Sequence, residues 1–322
     1  MIPPKLKAGD NLRVIAPSHS FSKKFTKEMR ERTAERFAAL GLKVSYGKYV
    51  DETDDFKTAT IEHRMEDLHG AFADSSVQAI IPAKGGASAS QLLKYLDYDL
   101  IKSNPKIFCG LSDITELANA INAQTELVTY YGPHYTMAGA SMLIDYSIDY
   151  FKKAFLSQEP FQVSPSKYYS NTEWSKEVIL NDGFWLINKG EVEARCIGGN
   201  LRTISLTIGS DYVPKLEGKI VFLEDNKIID YRGVQKELQA ILNHPKGDKI
   251  AGLIFGRFQV QTGMTKDLLT KIIKSKKELE NVPVIGNVDF GHTIPMVSLP
   301  IGGSIRMVAK NDADIKLEIV NH

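Results

Sequence analysis

The sequence predicts an α/β protein, with a parallel sheet covered by helices in the first half and a smaller, β-rich domain after it. Three observations carry that expectation. Strand-like apolar runs alternate with helical spacing between Asn11 and Leu117. A polar stretch with no sustained period intervenes between about Leu156 and Trp185, and short strand-like pieces with glycine turns follow Gly190. At 322 residues the chain exceeds the usual size of one domain, and length alone favours about two. The division expected is an α/β domain over 1–157, a connecting and covering segment over 158–186, and a β-rich domain over 187–322.

Asn11 to Ser18 reads as a first strand ending in a turn. Lys27 to Leu40 carries helical spacing that Gly41 stops, and Leu42 to Ser45 begins another strand. The pattern returns as a helix over Ile61 to Asp74, a strand over Val77 to Pro82, a Gly85-Gly86 turn, a helix from Ser88 to Leu96 and a strand over Ile107 to Cys109. Such alternation gathers ligands at the carboxyl ends of the strands, and both Gly85-Gly86 and Ser112 follow strands at those ends. In the second half, strands are expected at Glu193 to Ile197, Lys219 to Leu223, Gly252 to Phe255 and Pro283 to Gly286. Helices are expected at Leu201 to Leu206, Gln235 to Leu242 and Thr265 to Lys276.

Composition narrows the function classes. Lys plus Arg number 40 against 39 for Asp plus Glu, a balance with no field to steer the protein toward nucleic acid or an anionic membrane. A small-molecule or peptide partner is expected instead. Two cysteines, Cys109 and Cys196, make neither a metal site nor a disulfide framework. Met1 to Lys7 has no apolar core of signal-peptide length and no run approaches a membrane span, so the expectation is a soluble, cytoplasmic protein. No Gly-x-Gly-x-x-Gly or Walker pattern supports a nucleotide cofactor.

The most informative stretch is Pro105 to Leu117, where an apolar run meets Gly110-Leu111-Ser112-Asp113 and then a helical pattern. It reads as strand, sharp turn and helix. Ser112 at the tip has its hydroxyl clear of neighbours, and the following helix aims N–H groups at nearby negative charge. A plainer description fits the same residues. Ser and Asp are common N-caps, Asp113-Ile114-Thr115-Glu116 matches a capping box, and Ile114 stands where Gly-x-Ser-x-Gly has its second glycine. A base decides between the two, because a serine hydroxyl is a weak nucleophile until a histidine, held by a carboxylate, takes its proton.

Seven histidines are available. His19, His63, His69, His244 and His322 lie in polar, helical or terminal contexts and are expected at the surface, whereas His292 follows an apolar strand and His134 is the other candidate. Glu224 ends the strand Lys219 to Phe222, although an acidic pair Glu224-Asp225 opening a loop describes it equally. Ser112, Glu224 and His292 together form a workable triad that only the fold can assemble. The oxyanion of an acyl-transfer intermediate needs donors, for which the N–H groups of Asp113 and Gly86 are placed. Gly85 and Gly86 let the backbone approach, and loss of one donor costs about 3 kcal/mol. The alternative for the glycines is a tight turn or an anion-binding loop.

With these residues in view, the chain resembles the LD-carboxypeptidase family of serine peptidases, which includes the microcin C7 self-immunity proteins. The likeness runs from Pro4-Lys5-Leu6-Lys7-Ala8-Gly9-Asp10 through Asp67-Leu68-His69-Gly70, Gly110-Leu111-Ser112-Asp113 and Tyr131-Gly132-Pro133. It continues to Ile197-Gly198-Gly199-Asn200, Phe222-Leu223-Glu224-Asp225 and Phe290-Gly291-His292-Thr293. The resemblance implies Ser112 as nucleophile, His292 as base and Glu224 as its orienting carboxylate. It also implies a flavodoxin-like amino-terminal domain, a homodimer, and no metal or other cofactor.

Two substrate branches follow from the resemblance. One removes a terminal D-residue from cell-wall tetrapeptides; the other, immunity-like, cuts an amide joining a peptide or aminoacyl group to a modified nucleotide. Asn171 to Ser175 and Gly183-Phe184-Trp185 look like the tryptophan-bearing insertion of the immunity branch, making Trp174 and Trp185 candidates for stacking on a nucleobase; packing in the interdomain seam is the alternative. After Gly85-Gly86 the chain carries Ala87-Ser88-Ala89-Ser90 where the immunity branch has an Asn-Ser-Asn run. Lys84 is positioned to meet a substrate carboxylate. From a different class, a non-catalytic protein holding an anionic ligand between the two turns is the rival.

Overall fold

Two large sheets and a two-stranded ribbon form among the described residues, and burial explains the first. In the computed structural model, which describes residues 1–21 and 25–322, five strands alternate with helices: β1 (Asn11–Ile15), α1 (Lys27–Ala39), β2 (Lys43–Tyr46), α2 (Ile61–Ala73), β3 (Ala79–Pro82), α3 (Tyr98–Ser103), β4 (Ile107–Gly110), α4 (Ile114–Thr125) and β5 (Thr129–Tyr131). All five are parallel, in the order β2-β1-β3-β4-β5. Every residue of β3, β4 and β5 is buried, as expected of parallel strands covered on both faces. This is the flavodoxin-like order, whose switch point lies between β1 and β3. The loops after those two strands, carrying Ser18-His19 and Lys84-Gly85-Gly86, therefore flank a crevice.

Side-chain caps start three of the four helices: Thr26 accepts from the Met29 N–H, Thr60 from His63 and Asp97 from Leu100. The fourth, α4, has no side-chain cap. The helix expected from Ser88 to Leu96 is only a 3₁₀ turn over Ala89–Leu92. Its first amides, Ser88 and Ala89, are committed to the Asp113 carboxylate.

Beyond β5 come α5 (Ile144–Phe155), the short strands β6 (Phe161–Val163), β7 (Tyr168–Tyr169) and β8 (Ile179–Leu180), then β9 (Trp185–Asn188) and the long β10 (Gly190–Asn200). The chain continues as α6 (Leu201–Thr207), β11 (Ile220–Glu224), α7 (Tyr231–Leu242), β12 (Gly252–Gly256), α8 (Lys266–Lys274), β13 (Val284–Val288), β14 (Leu299–Ile301), β15 (Ser304–Asn311) and β16 (Asp314–Asn321). The second sheet runs β6-β16-β15-β10-β11-β12-β13-β9. Its centre, β10 to β13, is parallel, so the β-rich half holds a second βαβ arrangement with its own carboxyl-end rim. β10 serves two partners: Gly190 to Arg195 pair antiparallel with β15, and Cys196 to Asn200 pair parallel with β11. β14 crosses over to the first sheet and runs antiparallel to β5, with Leu299 opposite Tyr131 and Ile301 opposite Thr129.

None of the five histidines expected at the surface is fully exposed: His63, His69 and His244 are half-buried, as is His19, and His322 is buried outright. His322 is buried, packed edge-on against Phe161 at 5.0 Å with Nδ1 2.7 Å from the Lys5 amine. His19 is half-buried because the switch-point loop turns it into the crevice. Both cysteines are buried, free thiols. Among the described residues no helix is long and apolar enough to cross a membrane.

Candidate active site

Ser112 occupies the turn between β4 and α4 with φ of +64°, a left-handed conformation that a non-glycine residue keeps only when its surroundings hold it there. Its N–H donates to the Tyr131 hydroxyl at 3.2 Å. The capping box read at Asp113 to Glu116 is not formed, since Asp113 makes no cap bond to α4. Its carboxylate instead accepts from the Ser88 and Ala89 amides, each at 2.8 Å, and from Ser18 Oγ at 2.5 Å. Asp113 thus ties the serine turn to both loops of the switch point. Glu116 is buried beside it, its pKa pushed up to about 8 by burial and by the Asp113 charge, so it is largely protonated at neutral pH.

The glycine loop sits directly against the serine. A Cβ on Gly85 would lie 2.9 Å from Ser112 Cβ, and one on Gly86 would overlap Ser18 Oγ and come within 2.6 Å of the His19 ring. Only hydrogen fits at those positions without displacing Ser112, Ser18 or His19.

From the second sheet come the acid and the base. Glu224, fully buried at the end of β11, accepts from the Tyr131 hydroxyl at 2.5 Å and from Asn200 Nδ2 at 3.0 Å on one oxygen; the other lies 2.7 Å from His292 Nδ1. Burial alone would raise the Glu224 pKa, but the His292 charge and these donors outweigh it and hold the group below its ordinary value. An ionised carboxylate only accepts, so His292 carries its proton on Nδ1 and leaves Nε2 as the acceptor. Burial would lower the His292 pKa; the Glu224 charge and hydrogen bond outweigh it, and the net shift is upward. Gly291, at φ +114°, brings the backbone so near that a Cβ there would stand 2.6 Å from the Glu224 oxygen. Neighbouring Asp225 is pushed up to about 7 by burial and by Glu224.

A cavity of about 550 Å³ in the crevice is lined by His19, Phe21, Lys57, Lys84, His134, Glu173 and Trp174 among others. Lys84 and Trp174 are thus brought together, the tryptophan 40% exposed. His134 is buried there, its pKa lowered to about 3 by burial and by the Lys84 and His292 charges, so it stays neutral. Trp185 is placed elsewhere. It belongs to β9 at the edge of the second sheet, its indole N–H donates to Asp182 at 3.1 Å, and it lines a separate cavity of about 450 Å³ with Tyr169 and Arg257. Pairing of β9 with β13 fixes it there. Among the described residues no group of three His, Cys, Asp or Glu is arranged for a metal ion.

Sequence reasoning left Tyr131, Asn200, Ser18 and Glu173 without roles. The first two stand in the Tyr131-Gly132-Pro133 and Gly198-Gly199-Asn200 motifs, but nothing in residue type or spacing told that they converge on Glu224. Asn200 marks the point where β10 ends, and its N–H donates to Thr115 of α4 at 3.0 Å, so the two sheets are joined beside the site.

Comparison with known proteins gives this geometry a family. The model of the LD-carboxypeptidase N-terminal domain matches residues 12–132, and that of the LD-carboxypeptidase C-terminal domain matches 193–307. A putative carboxypeptidase of Treponema pallidum is 39% identical over 307 residues, 94% of this chain and 90% of that protein. A probable murein peptide carboxypeptidase of Bacillus subtilis is 30% identical over 313 residues, 95% of this chain and 91% of that protein. An MccF-like protein from Bacillus anthracis superposes with a TM-score of 0.97 at 38% identity, over 100% of both chains. The microcin C7 self-immunity protein MccF, known from Escherichia coli, superposes in its complex with glutamyl sulfamoyl guanosine with a TM-score of 0.88 at 26% identity, over 99% of this chain and 98% of that one. With both domain models matched in order and a relative near 40% identical along almost its whole length, the chain belongs to the LD-carboxypeptidase family of serine peptidases.

Proposed function

We propose that this peptidase hydrolyses an amide through Ser112, His292 and Glu224, and that its substrate is an aminoacyl or peptidyl group joined to a nucleotide-like leaving group. The observation that carries the chemistry is the hydrogen-bonded chain from the Ser112 turn through Tyr131 to Glu224 and His292. Ser112 Oγ attacks the carbonyl carbon while His292 Nε2 takes its proton. The N–H groups of Asp113 and Gly86 receive the oxyanion, since the Ser112 N–H is already given to Tyr131. His292 then protonates the departing nitrogen, and water releases the acyl group by the same steps in reverse.

Trp174 supports the nucleotide-like leaving group. Its ring stands in the cavity beside Lys84 and His19, where stacking on a base contributes roughly 1–3 kcal/mol. Solved complexes of MccF with glutamyl sulfamoyl guanosine and aspartyl sulfamoyl adenosine give the reading a precedent in the family. A second reading, removal of a terminal residue from a cell-wall tetrapeptide, is favoured by the cations Lys57 and Lys84 in the same cavity, which suit a free carboxylate.

Mass spectrometry after incubation with glutamyl sulfamoyl adenosine and with a murein tetrapeptide separates the two. Release of glutamate from the nucleoside is expected; cleavage of the tetrapeptide alone moves the substrate to the second reading, and no product from either removes both. The pH profile gives an independent check. His292 must be unprotonated to act, and its pKa is raised, so kcat/KM should fall on the acid side with a midpoint above 6.5. A midpoint below 6.5 would contradict the Glu224–His292 coupling.

A further inference from the structure

Tyr131 lies at the junction of the two sheets and is completely buried. Its hydroxyl has two partners, and both roles are chemically forced. The Ser112 backbone N–H can only donate to it, at 3.2 Å, and an ionised Glu224 can only accept from it, at 2.5 Å. The phenol proton therefore points at Glu224, and the phenol oxygen holds the Ser112 amide. The ring is locked as well, against Phe222 at 6.0 Å and edge-on to Phe290 at 6.4 Å, and β14 pairs with its backbone.

Resting on the hydrolytic reading given above, we propose that Tyr131 is a positioning residue for that reaction. One hydroxyl sets both the left-handed Ser112 turn and the tilt of the Glu224 carboxylate, and so couples the nucleophile of one domain to the base of the other. Two consequences follow from its place. Without the hydroxyl, the Ser112 amide loses the partner that holds φ at +64°, and Oγ no longer has a fixed line of attack. Glu224 also loses a donor that drains its negative charge, so it holds the His292 imidazolium more tightly and the base is freed only at higher pH. Asn200 Nδ2 stays on the same oxygen, which keeps the carboxylate in its pocket and confines the change to this bond.

The test is Tyr131→Phe, which keeps the ring and removes the one oxygen. Because the substrate is itself a proposal, the readout is the rate at which a fluorophosphonate labels Ser112, followed by intact-protein mass across a pH series, with thermal unfolding as the check on folding. The expected result is labelling slowed about 10- to 100-fold, the range for loss of a hydrogen bond to a charged group, with the acid limb moved to higher pH. Labelling at the parental rate, or slowed labelling with an unmoved limb, overturns the proposal; the latter is what a merely structural role produces. If the parent is not labelled at Ser112, the nucleophile assignment fails and this proposal with it. Parental labelling without amide hydrolysis fails only the substrate reading. Should Tyr131→Phe not fold, 3-fluorotyrosine inserted at position 131 is a stronger donor to Glu224 and is expected to move the limb to lower pH; an unmoved limb then overturns the proposal.

Discussion

Replacing Ser112 with alanine is expected to lower kcat by roughly 10⁵- to 10⁶-fold while leaving ligand binding in place, because members of a serine triad act as a unit and the loss of one removes nearly all of their joint effect. The structure makes the substitution clean. Alanine keeps the Cβ that already sits against Gly85, and its amide still reaches the Tyr131 hydroxyl, so neither the turn nor Asp113 is disturbed. Single-turnover assays beside calorimetric titration of the uncleaved substrate separate chemistry from binding. Turnover surviving at more than roughly a hundredth of the parental rate is incompatible with a serine nucleophile on this scale.

Glu224→Gln should lower kcat by about 10³- to 10⁴-fold by setting the wrong tautomer of His292. Tyr131 and Asn200 both donate to the same oxygen of Glu224, and at position 224 a glutamine satisfies them only with its carbonyl oxygen. Its amide NH₂ then faces His292 Nδ1, which has to accept. The proton moves to Nε2, and the acceptor that the proposed mechanism needs is lost. Burial of the imidazole, no longer opposed by the charge and hydrogen bond of Glu224, also brings its pKa down, although Asp225 and Glu173 still act to raise it. Nitrogen chemical shifts of His292 report the tautomer directly. Activity within about tenfold of the parent, or a proton still on Nδ1, would mean that Glu224 does not set the base.

Much of this architecture was legible because the first half obeys strong local rules. Gly41 stops α1 and the apolar runs of β3 and β4 are short and unbroken, whereas the short α3, begun by Asp97, went unread. Local rules misled where a side chain was recruited from far away. Asp113 and Glu116 have the spacing of a capping box, yet the carboxylate of Asp113 is taken by amides of another loop, Ser88 and Ala89. Trp174 and Trp185 could not be told apart from sequence, since one lies in a cover segment over the crevice and the other in an edge strand, and that distinction depends on pairing across the chain. Tyr131 carries no chemical signal of its own. Its part depends on Glu224 reaching it from the other sheet.

The crossing of β14 into the first sheet sets an order on synthesis. Ser112 leaves the ribosome early, while Glu224, His292 and the segment Leu299–Ile301 that closes the β5 edge emerge near the end. A nascent or truncated chain can therefore display the serine turn without Glu224 or His292, and until Leu299–Ile301 arrive the β5 edge is open to pairing with foreign strands. The same returning strand that seals the sheet also places Leu299 opposite Tyr131, so the edge of the first sheet is completed from the far end of the chain.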